Sequence, residues 1–93
     1  MKTLVLAAAL STAVFAAPAL AQEDAAKQAG CLNCHAIDTK KAGPAFKEIA
    51  AKYKGKADAE ATLFTKIKDG KGHPGTKASD NDLKGILKWV LAQ

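Results

Sequence analysis

Beyond residue 22 the apolar positions of the chain recur at helical spacing, and nowhere at the period of two that marks a half-buried strand. Val90 is the only valine in that stretch. Glu23 to Ala29, EDAAKQA, reads as a short Ala-rich helix with acids in its first turn and Gly30 as its stop. Pro44 to Tyr53 begins with proline at a first-turn position, and Phe46, Ile49, Ala50 and Tyr53 share one face. Asp58 to Asp69 puts Leu63, Phe64 and Ile67 on one side and ends at Gly70. In the last helix Ser79 and Asp82 resemble a capping box, with Asp in place of the usual Glu. Leu83, Ile86, Leu87 and Val90 then form an apolar stripe, with Trp89 at its edge and Lys84 and Lys88 opposite.

Gly85 interrupts that helix at a cost of about 1 kcal/mol relative to Ala. Two readings stand: another helix crosses closely there, or a surface glycine is tolerated. HAIDTKKAG (His35 to Gly43) and GKGHPGTKA (Gly70 to Ala78) have no helical period and read as loops. The pattern predicts an all-α fold of four short helices and two irregular loops.

The first 21 residues follow another logic. Lys2 precedes an apolar run from Leu4 to Ala17, which ends in Ala19-Leu20-Ala21. Charged head, short apolar middle and small-x-small end describe a secretory signal peptide, with cleavage expected after Ala21. A membrane anchor is the weaker reading, because the run falls short of the ~20 residues that span a bilayer and Pro18 interrupts its end. Residues 1–21 are thus the expected leader and 22–93 the expected domain, exported to the periplasm in a Gram-negative cell. No membrane span is expected in the mature protein.

Removal of the leader leaves 72 of the 93 residues, enough for one domain. So small a chain buries proportionally little surface and usually needs a disulfide, metal or cofactor to hold it. The mature part has 13 lysines, no arginine and 9 acidic residues, a net charge of +4. Without arginine forks or aromatic platforms the basic balance argues poorly for nucleic acid. It suits a surface that meets an acidic partner, or a solvated lysine shell.

Both cysteines lie in Cys31-Leu32-Asn33-Cys34-His35. C-x-x-C-H is the attachment signature of c-type haem. On one helical turn positions i and i+3 share a face, so two thiols reach the two vinyl groups of one porphyrin. The histidine at i+4 projects from the same face toward the iron. A thioredoxin-like redox pair needs a βαβ context that is missing here. A structural zinc site needs four ligands, and His35 lies too close to Cys34 for finger spacing. A lone disulfide between residues 31 and 34 would close too short a loop to stabilise much and would leave the core unfilled. One covalent haem c supplies the staple that the small core lacks.

At these residues the chain resembles the short bacterial class I cytochromes c, single-haem electron carriers. GCLNCHAIDTKKAGPAFKEIAAKY is similar to their haem-binding half, and ASDNDLKGILKWVLAQ to their last helix. The resemblance implies thioethers at Cys31 and Cys34, His35 as proximal ligand, and the Pro44 carbonyl bonded to the free ring nitrogen of His35. Pro44 also serves as a helix start, and the two roles are compatible. The family's sixth ligand is usually a Met before the last helix, whereas the one methionine here is Met1, inside the leader. His73-Pro74 stands where Met-Pro would stand, in a loop that looks shorter than the commonest family version. His73 is therefore the expected second axial ligand, which lowers the reduction potential relative to Met-ligated relatives. An iron left open or closed weakly by water is the rival, and Lys77 is a poorer candidate ligand.

The resemblance further implies a monomeric carrier rather than an enzyme, passing single electrons between redox proteins with acidic docking surfaces. Lys40, Lys41, Lys71 and Lys77 flank the two haem-facing loops and are candidates for that docking. The small electron-accepting partner of a particular dehydrogenase would leave much the same sequence. A haem-based ligand binder or sensor with an open sixth position is the alternative from another functional class. The family's usual Trp near the haem propionates is not evident in the shortened loop.

Overall fold

The structure, a computed structural model, describes residues 16–93; most of the expected leader, residues 1–15, lies outside them. Four helices follow in order: α1 (Ala16–Gln28), α2 (Phe46–Tyr53), α3 (Ala59–Asp69) and α4 (Asp80–Leu91). A single 3₁₀ turn over Cys31–Asn33 stands between α1 and α2. Among the described residues there is no strand, so the all-α expectation holds.

The helix starts differ from the sequence reading for local reasons. α1 already spans Ala16, the first described residue, so it extends upstream of the expected Glu23 start along the alanine-rich stretch. α2 begins at Phe46, two residues after Pro44. Ala45 is its extended N-cap, and the first amides bond outward: Phe46 donates to the Ala36 carbonyl at 2.9 Å and Lys47 to that of Ile37 at 3.1 Å. Loop carbonyls thus satisfy amides that the helix itself leaves free. α3 ends at Gly70, whose φ of 66° is a left-handed stop that glycine adopts without penalty. At the start of α4 the Ser79 hydroxyl accepts from the Asp82 amide at 3.2 Å, the hydroxyl half of the capping box.

α4 is the spine, packed against α1, α2 and α3. Its stripe is inside: Leu83 is 1% exposed, and Ile86, Leu87 and Val90 are also buried. Each such side chain contributes about 1.5–3 kcal/mol relative to exposure. Ile86 and Val90 meet Ala26 of α1 and Phe46 of α2, while Leu83 and Leu87 meet Leu63 of α3. Gly85 faces α1. A Cβ there would lie 2.7 Å from Oε1 of Gln22, so the close crossing, not the idle surface glycine, is what the fold uses.

Candidate haem site

The 3₁₀ turn presents the cysteines. Three-residue periodicity eclipses positions i and i+3, so Cys31 and Cys34 fall on one side, and the His35 amide closes the turn onto the Cys31 carbonyl at 3.0 Å. Both cysteines are free thiols, Cys31 half-buried and Cys34 exposed. Burial pushes the Cys31 thiol above its ordinary value, with a backbone hydrogen bond opposing. Among the described residues no three His, Cys, Asp or Glu side chains converge as a metal-ion cluster.

His35 is held from several sides. Its Nδ1 lies 2.6 Å from the Pro44 carbonyl. A carbonyl can only accept, so Nδ1 is the donor and Nε2 is the ring nitrogen left for another partner. The ring stacks on Phe46 at 5.3 Å and 22°, and Phe46 meets Trp89 edge-on at 5.4 Å and 75°. Gly43 covers another side: a Cβ there would collide with Cε1 of His35 and stand 2.8 Å from Nδ1. Only glycine lets the loop lie this close to the imidazole. The Gly43 amide in turn donates to the Cys34 carbonyl at 2.8 Å, tying this loop back to the cysteine turn.

The α3–α4 loop brings the second histidine to the same place. Gly70 and Gly72, both with φ of 66°, turn the chain after α3. The His73 ring then lies with its centroid 6.1 Å from that of His35 and its plane 9° from parallel. Its Nδ1 is 2.6 Å from the Pro74 carbonyl, so Nδ1 is again the donor and Nε2 the ring nitrogen left for another partner. Two imidazoles, 38 residues apart in sequence, thus lie near each other with the same nitrogen engaged.

They open onto a cavity of about 540 Å³. Cys31, Cys34, His35, Pro44 and His73 all line it, together with Ile49, Tyr53, Leu63 and the α4 stripe. Thiols, paired imidazoles and a largely apolar lining form a donor set and a shape that suit a flat, apolar, covalently attached macrocycle. Lys52 and Lys66 also line the cavity, and Lys40, Lys71 and Lys77 are exposed. Lys41 is exposed too, but its ammonium donates to the Leu32 carbonyl at 3.0 Å and so braces the cysteine turn.

Sequence reasoning brought forward every residue with donor chemistry but missed Gly43 and the stacking role of Phe46. Gly43 carried only the weak signal of a glycine before a proline. Phe46 read as one member of a helical stripe, and nothing local announces that its ring meets His35.

An all-α chain wrapped on a cavity that carries C-x-x-C-H defines a small haem protein of the covalently attached class. The cytochrome c family profile matches residues 19–92, and the chain belongs to that family. It is 41% identical to cytochrome c-551 of Pseudomonas aeruginosa, across 100% of this chain and 99% of that relative. Identity to cytochrome c-552 of Nitrosomonas europaea is 41%, across 89% and 88% of the two chains. Among solved structures, the class 1 cytochrome MtoD of Sideroxydans lithotrophicus superposes with a TM-score of 0.67 at 33% identity, covering 86% of this chain and 97% of that one. The chain therefore binds one haem c covalently, with its two cysteines available for the thioethers.

Proposed function

We propose that this is an exported one-electron carrier whose haem iron is held between His35 and His73. The carrying observation is the pair of imidazoles 6.1 Å apart and 9° from parallel. Two imidazoles bound through Nε2 to opposite faces of one metal would have centroids about 6.4 Å apart, from metal–nitrogen bonds of about 2 Å and nitrogens about 1.2 Å from each centroid. The separation of 6.1 Å agrees with that figure, and the proline carbonyls engage both Nδ1 atoms, which leaves the Nε2 atoms for the iron.

When bound, the haem supplies the one-electron couple. The side chains make its use cheap in reorganisation. Hydrogen bonds from both Nδ1 atoms to proline carbonyls fix each ring's tautomer and orientation and raise its basicity. More basic imidazoles on both faces favour oxidised iron, so the potential lies below that of relatives with a thioether ligand. Phe46 and Gly43 restrict His35 to one position in either oxidation state. The carrier role involves no substrate chemistry of its own. The exposed Lys40, Lys71 and Lys77 give the loops beside the cavity a positive field suited to an acidic redox partner.

Export rests on the leader pattern, with cleavage after Ala21 and residues 22–93 as the mature monomer in the periplasm. No described helix is long and apolar enough to cross a membrane.

The His73→Ala variant tests the ligand set. Low-spin absorption bands in the parent and high-spin bands with rapid carbon monoxide binding in the variant are the expected result. Unchanged bands would remove His73 from the iron. High-spin bands in the parent itself would favour a ligand-binding or sensing protein.

A further inference from the structure

Gln22 has three properties that belong to no part of the haem site. It directly follows Ala21, so leader removal makes it the first residue of the chain. Its carboxamide is wedged into the α1–α4 crossing, where a Cβ on Gly85 would approach Oε1 within 2.7 Å, Nε2 within 2.8 Å and Cδ within 2.9 Å. Its Oε1 is buried and has no hydrogen-bond partner among the described residues.

While the Ala21–Gln22 peptide bond is intact, the Gln22 nitrogen is an amide and is not a nucleophile. Cleavage turns it into a nucleophilic α-amine, one ring closure from its own Cδ. We infer that Gln22 is a modification site, cyclised to pyroglutamate once the leader is removed; this rests on cleavage after Ala21. The α-nitrogen attacks Cδ, the Nα–Cδ bond forms, and the Cδ–Nε2 bond breaks. Nε2 leaves as ammonia, carrying a proton from the amine, and no oxidant or co-reactant takes part.

Two features of the fold favour the closed ring. An open N-terminus would place an ammonium near the positive pole of α1, where cations are unfavourable, and the lactam is neutral there. Ring closure also draws Cδ back to its own backbone and away from Gly85. The buried carbonyl oxygen leaves a place where it has no donor. The product is a blocked, uncharged N-terminus that aminopeptidases cannot trim.

Intact-mass and N-terminal peptide mass spectrometry of the haem-loaded protein, purified from the periplasm and held at neutral pH, test this directly. The expected species begins at residue 22, is lighter than the free-Gln form by one ammonia, and resists Edman degradation. A Gln22→Ala variant should show a free N-terminus and no such loss. A parent chain that begins with free Gln22 after prolonged incubation would overturn the inference and leave the cleavage reading intact. A chain that begins at any other residue would overturn both.

Discussion

Gly43→Ala is the substitution whose cost follows most directly from the geometry. The added methyl would collide with Cε1 of His35 and stand 2.8 Å from Nδ1 and 2.9 Å from Nε2. Ordinary carbon contacts lie at about 3.5–4.0 Å, so the ring must retreat by roughly 1 Å. The bond from Nδ1 to the Pro44 carbonyl starts at 2.6 Å and would stretch past the hydrogen-bond range of about 3.2 Å. Overpacking costs about 1–3 kcal/mol and the lost hydrogen bond about 0.5–1.5, for a total of about 2–4 kcal/mol. Denaturant titration of the haem-loaded protein should show the midpoint lowered by about 1 M guanidinium chloride. The reduction potential should rise at the same time, because the imidazole loses the partner that raised its basicity. A midpoint within about 0.2 M of the parent, with an unchanged potential, would refute this role for Gly43.

Gly85→Ala should behave differently, although its Cβ meets Gln22 at a comparable 2.7 Å. The obstacle is the end of a flexible side chain whose oxygen has no partner among the described residues, so the helix-propensity gain of about 1 kcal/mol should be largely kept. A loss of more than about 1 kcal/mol in urea unfolding would mean that the α1–α4 crossing is rigid. Lys68, through a hydrogen bond and its charge, holds the Asp80 carboxyl below its ordinary value at the first turn of α4. A lowered folded pKa stabilises the ionised form, so this contribution is full above the unfolded carboxylate value and is lost as pH falls through the folded one. Asp80→Asn should flatten that acid-side decline in melting temperature; an identical decline would place its origin elsewhere. Electron transfer to an acidic partner protein should slow as the Debye length shrinks from ~30 Å at 0.01 M salt to ~8 Å at 0.15 M, and a salt-independent rate would dismiss the lysine field.

Much of this arrangement was legible because its parts are local. C-x-x-C-H needs only one turn of chain to bring its three donors to one side, and the α4 stripe needs only the helical period. Ser79 announced its own cap. His73 was legible by a different route: residues 22–93 hold two histidines and no methionine, so the position opposite His35 had few candidates. The parallel setting of the two rings was not legible, because it depends on how far α3 and α4 hold the loop from the cysteine turn. Gly43 and Gln22 were hidden for the same reason. Their importance comes from side chains that approach from other parts of the chain, at distances no single segment encodes. The late start of α2 reflects amides with partners in a loop, which sequence spacing leaves unspecified.

The most direct test of an iron clamped by two histidines is the ferric-state spectrum of the purified, haem-loaded protein, by absorption and electron paramagnetic resonance together. The expected result is a low-spin iron with the rhombic signal of parallel imidazole planes and no far-red sulfur-to-iron band. A high-spin ferric signal in the unmodified protein would contradict it.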